Sequence, residues 1–592
     1  MLTGRWLFSA ASLGRARRLV GRRTAPGLVC LRTTSTAAAA NDGQRSAGCE
    51  RTPIDGESSP LQEWGKRHDT WHQRAIFADE VTRTVSQPLP ATHPHLMRAG
   101  EVTPGIHRAE YAARRAALLA AMPPNSVVIL PSMPEQFYSM DVPLRYRQHT
   151  ELSYFSGCHE PHAALVLYKP ATGARDTWQT PSQHPSRTPS TVTGHGREML
   201  FIRPRDAARE LWDGPMIGID DAVHIFGIRE VYAYGSIGQS LAEIMATSAT
   251  AKPQLFYDPA IHSELTRLLC EGMARDRTPG AITNAYHSLV SHFTSPVPLV
   301  QPLRLIKSDA ELALMRRAAA VTGEAFRRAM ERTHAGQLES DLAAHIECAF
   351  QRIGGPLARP AFPTVAASGA NACTLHYVAN SAVLRDGDMV MVDAGCELNG
   401  YCSDVSRSWP TSGRFSAPQS DVYQLLLETQ RHCIERARSA ASASVAWSAT
   451  AAAVSSSAPS LDDLHRDCVR LLTSGLKQIG FFPKHATADD AIASGAYAQY
   501  FPHALGHYLG MDTHDTHQLS KSIPLRERMV ITVEPGIYIR PDDPQAPAPF
   551  RGIGMRVEDD VVIHADGQPA EVLTDSMPRS IADIEALMQC GK

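Results

Sequence analysis

The chain has 592 residues, too many for one hydrophobic core, so two or more domains are expected. Hydrophobic residues make up 43% and charged residues 20%, with a formal net charge of -3. That balance argues against a general nucleic-acid binder, and no apolar run approaches the roughly 20 residues of a membrane span. The 11 cysteines show no CxxC pair and no regular spacing. They read as reduced thiols, not as a disulfide framework or a zinc knuckle.

Residues 1–40 contain no acidic side chain. Arg5, Arg15, Arg17, Arg18, Arg22, Arg23 and Arg32 alternate with Leu, Val, Ala, Ser and Thr. Trp6, Leu7, Leu13 and Leu19 can share one helix face. This is the composition of an organelle transit peptide, and mitochondrial (matrix) localisation is the expectation. The arginines interrupt any secretory apolar core. Residues 41–100 are polar and rich in Gly, Ser and Pro, and are expected to form a poorly ordered extension with a short helix near Trp64 to Val81.

An α/β domain is expected over 101–303. Tyr111–Met122 has helical periodicity, Pro123-Pro124-Asn125 stops it, and Ser126–Leu130 is a buried strand. Strands are expected at Ala163–Tyr168 and Glu198–Ile202, and helices at Ser240–Thr247 and Ile261–Met273. The Ser/Thr/Pro-rich stretch 171–196 reads as a surface loop inserted between two hairpin strands. His184 and His195 within it read as solvated.

A second domain is expected over 304–592. Ser308–His334 is a long helical pattern with Asp309 and Glu311 in the first turn. Helices are also expected at Ser340–Ile353, Asp421–Arg438 and Leu461–Ile479. An Ala/Ser stretch at 439–460 reads as a solvated insertion, and Met529–Ile563 reads as strand-rich.

The chemistry centres on Met389–Asp404, MVMVDAGCELNGYCSD. Val390, Met391 and Val392 read as a buried strand, and Asn399-Gly400 as a tight hairpin turn. That fold brings Asp393 and Asp404 together. For the pair alone, the simpler reading is a turn aspartate and a solvated one. Three downstream residues reverse it. Glu534 ends the apolar strand VITVE, and Glu558 lies inside MRVEDDVVI. His507 sits in the Gly-containing HALGHYLG. Four carboxylates and one imidazole suit two hard or borderline divalent cations such as Mn²⁺, Co²⁺ or Zn²⁺. Two such ions about 3.5–4 Å apart activate a bridging water and polarise a carbonyl. His503 and His507 have the spacing of a zinc-protease helix, but Ala504 replaces its glutamate, so that reading fails. Asp559 and Asp560 read as structural or solvated, and His517 as solvated. Cys396 and Cys402 lack a base to make either a nucleophile.

VDAGCELNGYCSD, HALGHYLGMDTHD, TVEPGIYI and GIGMRVEDD resemble, in order, the motifs of the aminopeptidase P branch of the pita-bread metallopeptidases. The resemblance covers about 101–588 apart from the two inserts. It implies a creatinase-like α/β N-terminal domain and an α+β C-terminal pita-bread catalytic domain. It implies Asp393, Asp404, His507, Glu534 and Glu558 as metal ligands, with Asp404 and Glu558 bridging, and two divalent ions, Mn²⁺ first. It also implies catalytic-site roles for His376, His503, His514 and Glu534, with His376, His514, Tyr538 and Arg556 near substrate.

The expected partners are peptides with a free N-terminus, and a further copy of the chain in a homo-oligomer (dimer or tetramer). QPLPATHPHLMRAGEVTPGI further resembles the mitochondrial members, the third Xaa-Pro aminopeptidase type and the intermediate-cleaving peptidases. Ser153 stands where some relatives carry an aromatic. The expected activity is release of the residue before proline. Single-residue trimming of imported proteins, Xaa-Pro dipeptidase activity and a non-catalytic binding module are the alternatives.

Overall fold

The structure, a computed structural model, describes residues 81–172, 196–247, 252–274, 278–437, 458–565 and 568–590. The leader, the helix expected near Trp64, His184, His195 and nearly all of both inserts lie outside the described residues.

A six-stranded sheet organises the first half: β1 (Ser126–Pro131), β2 (Ala163–Lys169), β3 (Arg197–Ile202), β4 (Glu230–Ala233), β5 (Gln254–Phe256) and β6 (Phe293–Thr294). Its order is β6-β5-β1-β2-β3-β4. β2 and β3 form the hairpin that carries the 171–196 insertion, with Ala163 opposite Ile202. β1 and β2 are buried almost end to end because apolar clusters cover both faces. Val128, Leu130, Leu165 and Leu167 belong to one cluster, Val127, Ile129, Ala164 and Val166 to the other. Alternation of side chains across the strand assigns them.

Residues 81–100 depart from the poorly ordered extension expected there. Val85 and Leu89 are buried in the first of those clusters. The Gln87 amide donates to the Val102 carbonyl at 3.2 Å and the Gly157 carbonyl at 3.3 Å. The apolar residues are too few to stand out in a polar stretch, yet Val85 and Leu89 reach the core and Val81 packs against it.

Helix Val297–Leu305 runs across position 303/304, where the sequence reading divides the chain. Helix Asp309–Arg332 follows, started by a capping box between Ser308 and Glu311. Helices Glu339–Gly354, Ala417–Arg436 and Leu461–Gln478 follow the expected pattern within a few residues. Ser460, counted with the Ala/Ser insertion, instead caps the last of these with Asp463. A C-terminal helix, Ile581–Cys590, was not expected. Its signal is Ser580, whose hydroxyl accepts from the Asp583 amide.

The functional half is built on antiparallel strands: β7 (Val365–Ser368), β8 (Met389–Ala394), β9 (Val405–Pro410), β10 (Val530–Val533), β11 (Gly536–Tyr538), β12 (Gly554–Arg556) and β13 (Asp559–Val562). β8 lies between β7 and β9, β10 pairs with β13, and β11 with β12. The expected hairpin forms: Cys396–Leu398 pairs with Tyr401–Cys402 across Asn399 (φ 52°) and Gly400 (φ 84°). Both positive φ angles are what a type I′ turn needs, and Asn-Gly supplies them at least cost. Among the described residues no helix is long and apolar enough to cross a membrane.

Candidate metal centre and active-site cavity

Strand register brings the five metal-ligand candidates into one layer. Asp393 is the last residue but one of β8, opposite Ser406 of β9, and Asp404 immediately precedes β9. Val533 pairs with Asp559, so one step further Glu534 faces Glu558. The Glu558 amide donates to the Ser406 carbonyl at 3.0 Å, tying the two strand systems together. Glu558 is not inside a strand as expected. It sits in a two-residue break, Val557-Glu558, between β12 and β13. Register is unchanged across this gap, with Val533 opposite Asp559 and Gly536 opposite Arg556, so Glu558 keeps the strand alternation and enters the cavity on the same face as Arg556. His507 comes from an extended segment beside β10: the Thr532 amide donates to the His507 carbonyl at 2.9 Å and the Glu534 amide to that of Leu505 at 2.8 Å. Gly506 is required there, because a Cβ would lie 2.0 Å from the Thr532 carbonyl oxygen.

The His507 Nε2 lies 3.3 Å from Asp404 Oδ2 and 3.7 Å from Glu534 Oε1. Its Nδ1–H donates to the Tyr508 carbonyl at 3.1 Å, which aims Nε2 at the carboxylates. Ligand atoms of Asp404, His507 and Glu558 all fall within 4.8 Å of one another. Asp393 Oδ1 is buried without a hydrogen-bond partner. Its Oδ2 is held by Arg556.

Crowding shows in the titration of these groups. Burial, and then repulsion from Asp404, pushes Asp393 up to about 6, although Arg556 pulls it down. Burial pushes Glu534 up to about 7. Glu558 is raised well above the carboxylate range by burial and by Asp404, Glu534 and Asp393. Burial lowers His507, but the Asp404 hydrogen bond and the Glu534 and Asp404 charges outweigh it and leave the imidazole at about 9. An orphaned buried oxygen, clustered carboxylates and one correctly aimed imidazole fit divalent cations. Without them, a proton on His507 and protons on the acids stand in for the missing charge.

This has a direct consequence for the metal-free protein. Folded-state pKa values raised on acids and on a histidine both mean that the folded chain binds more protons than the unfolded one. Stability is therefore fully present at low pH and is lost as pH rises from about 4 to about 9. For Glu534 alone the difference is on the order of 3 kcal/mol. Chelator-treated protein should unfold at a lower temperature at pH 8 than at pH 5.5, and Mn²⁺ should abolish that trend. A flat or opposite profile in the chelated sample contradicts the crowding.

Beside the carboxylates lies a cavity of about 320 Å³, lined by His376, His503, His514, His517, Lys521, Arg556 and all five ligand candidates. The rings of His507 and His514 meet edge to face, 4.4 Å between centroids. His376 and His514 are exposed at the mouth. Burial, and then the charge of His507, lowers His514. His503 is held differently. Its Nδ1–H donates to the Ala504 carbonyl at 2.8 Å, and its Nε2 accepts from the Tyr538 hydroxyl at 2.9 Å. The Tyr538 oxygen accepts in turn from Arg556 Nη1 at 2.8 Å. Burial and the Arg556 charge push His503 down to about 4, so it is a neutral link in a fixed chain. Tyr538 lies behind the cavity and Arg556 in its floor.

Sequence reasoning missed the groups that support these side chains. Asp560 is buried and accepts the Asp404 amide at 3.1 Å. Ser406 Oγ donates to Glu558 at 2.7 Å and accepts from Arg556 Nε at 2.7 Å. Arg407 and Asp559 form a fully buried ion pair at 2.6 Å. The i, i+2 spacing of Asp404 and Ser406 was the one available signal. His517, expected to be solvated, is exposed but on the cavity rim. Burial pushes the Cys396 thiol up to about 12 and raises Cys402 further, consistent with neither being a nucleophile.

Two family models match the chain, "Metallopeptidase family M24" over residues 313–565 and "Aminopeptidase P, N-terminal domain" over 111–252. Xaa-Pro aminopeptidase 3 of Mus musculus is 35% identical over 85% of this chain and 90% of its own length. The mitochondrial intermediate cleaving peptidase 55 of Arabidopsis thaliana is 33% identical over 87% of this chain and 90% of its own. The solved structure of proline aminopeptidase P II from Yersinia pestis superposes with a TM-score of 0.68 at 31% identity. It covers 82% of this chain and all of that one. With this match across both halves, the chain belongs to metallopeptidase family M24, in its aminopeptidase P branch, and is a metal-dependent peptidase with a creatinase-like α/β domain followed by an α+β pita-bread domain.

Proposed function

We propose that the chain is a dinuclear-metal Xaa-Pro aminopeptidase of mitochondria, removing the residue that precedes an N-terminal proline. The observation that carries this is the layer of Asp393, Asp404, His507, Glu534 and Glu558 beside a cavity rimmed by histidines. These five residues would hold two divalent ions, Mn²⁺ first, with Co²⁺ or Zn²⁺ as alternatives. When bound, the ions supply Lewis-acid activation of water and of the scissile carbonyl.

The chain's own side chains do the rest. Glu534, on the cavity wall beside the other carboxylates, accepts the proton of the attacking water. His376 and His514, at the mouth, donate hydrogen bonds to the peptide and to its developing oxyanion. Arg556 holds Asp393 and, through Tyr538, fixes His503 against the cavity wall. His503 then shapes the site instead of shuttling protons.

The mitochondrial reading rests on the acid-free, Arg-rich leader and on the mitochondrial name carried by a relative. A homo-oligomer, dimer or tetramer, is part of the same proposal.

The decisive experiment compares Xaa-Pro-Yaa with Xaa-Ala-Yaa on the purified, Mn²⁺-reloaded chain. Release of the first residue from the proline peptide alone is the expected result. Equal release from both, strongest with Tyr or Leu first, supports trimming of imported precursors, the second reading that the relatives' names favour. Cleavage of Xaa-Pro but not of the tripeptide marks a dipeptidase. No cleavage by a metal-loaded sample leaves only a binding module.

A further inference from the structure

The N-terminal sheet carries a second cluster of metal-ligating side chains at one edge. β1 ends at Pro131 and Glu135 follows it. β5, parallel to β1, ends at Phe256, and His262 and Glu264 follow. β2 runs antiparallel to β1, and His162 precedes it at the same edge. β4 points the same way as β1 and ends beside Tyr234. Four chain segments thus converge outside the carboxyl ends of the parallel strands, the place where open α/β sheets bind ligands.

Within this cluster His162 lies between two carboxylates. Its Nε2 is 3.1 Å from Glu135 Oε2 and its Nδ1 is 3.3 Å from Glu264 Oε2. Ligand atoms of His162, His262 and Glu264 all lie within 4.8 Å of one another. His262 is 1% exposed, and its Nε2 is buried without a partner. The Tyr234 hydroxyl is likewise buried and unpartnered, with its ring 5.8 Å from that of His162 and 6.3 Å from that of His262. His162 and Glu264 remain open to solvent, which gives an ion a way in.

We propose that this cluster is a further metal site, one that takes a zinc-class divalent ion on His162 Nδ1, His262 Nε2 and a Glu264 oxygen, with water as the fourth ligand. In a tetrahedron with ligands at about 2.0–2.1 Å, neighbouring ligand atoms sit about 3.3 Å apart. The His162–Glu264 separation already has that value. Glu135 accepts the Nε2–H of His162, leaving the Nδ1 lone pair free for the ion, the carboxylate–histidine–metal arrangement. His262 must close the remaining gap. Its Nδ1 accepts from the Leu265 amide at 3.3 Å, so in the metal-free chain the ring proton sits on the orphaned Nε2. Metal entry moves that proton to Nδ1 and gives up this long helix-capping bond. The site joins three elements of the sheet edge, so its role is to lock the N-terminal domain, apart from peptide hydrolysis.

The competing account is a purely structural one, a protonated His162 bridging two carboxylates. His162→Lys separates them, because lysine keeps a cation there but cannot complete the zinc site, and it leaves the His262 cap intact. Zinc per chain is measured on the full-length protein after saturation and gel filtration, for the wild type and for His162→Lys. The active-centre content is common to both and cancels. The expected result is one equivalent less in the variant, with peptide hydrolysis unchanged. Tetrahedral Co²⁺ absorption should be lost in parallel, and Glu135→Gln should weaken binding at this site about 10–100-fold. Equal zinc content and equal Co²⁺ spectra in wild type and His162→Lys overturn the proposal. Glu264→Gln, on the helix surface, repeats the comparison should the lysine variant not fold. Failure of peptide hydrolysis in the wild type refutes the peptidase reading and leaves this count unaffected.

Discussion

Asp404→Ala is expected to lower kcat/KM by about a thousandfold or more, the scale of losing several kcal/mol of Lewis-acid stabilisation. Asp404 is buried beside His507 Nε2, and its amide is held by Asp560. Without its carboxylate, His507, Glu534 and Glu558 cannot reproduce the charge and geometry that hold a cation, so metal content should fall with activity. The fold should survive. Asp404 raises the pKa of Asp393, Glu534, Glu558 and Asp560, so its removal relieves repulsion. The metal-free variant should therefore unfold at the same temperature as the metal-free wild type, or higher. Activity within tenfold of wild type in a metal-quantified sample would sink the assignment of the centre. A large drop in metal-free stability would instead mark Asp404 as structural.

Arg407→Ala should be the most destabilising change near the site, costing about 3–5 kcal/mol. Neither side chain of the Arg407–Asp559 pair is accessible to solvent. Arg407 Nη1 also donates to the carbonyls of Ser406 at 3.0 Å and Glu558 at 2.5 Å. Truncation strands the Asp559 charge in an apolar interior, where Thr574 and the more distant Arg579 compensate only in part. The Glu558 carbonyl also loses the Arg407 donor, and the Ser406 carbonyl keeps only that of the Glu558 amide, so metal affinity should weaken as well. The check is a denaturation series on the metal-loaded protein. The double variant Arg407→Ala, Asp559→Asn should recover part of the loss, since the stranded charge is then gone. Additive losses in the double variant would show that the pair is not the cause.

The legible part of this protein is its local chemistry. The Asn-Gly turn, the apolar runs before Asp393 and Glu534, the acidic first turn at Asp309 and Glu311 and the helix periods all act over a few residues, and the fold respects them. Glu558 shows where such reading stops. Its side chain follows the alternation that also aims Arg556 into the cavity, but strand pairing lapses at Val557-Glu558, and the carboxylates it meets come from other strands that its own neighbours do not specify. The buried partners were invisible for a related reason. Asp559 and Asp560 read in the sequence as structural or solvated, and the sequence does not choose between the two because charge is usually exposed. Only pairing with Arg407, more than 150 residues earlier, and with the Asp404 amide makes their burial affordable.

The sequence by itself determined the five metal-ligand candidates around Asp404, the family resemblance and the long helices and buried strands, because these depend on side-chain type and short-range periodicity. Tertiary structure alone decided that Glu534 faces Glu558, that His507 is aimed by the Tyr508 carbonyl, and that His503 is locked to Tyr538 and Arg556. It alone decided that Glu135, His162, His262 and Glu264 share one sheet edge. Those juxtapositions follow from strand register and chain crossings between segments tens to hundreds of residues apart, and no local preference specifies them.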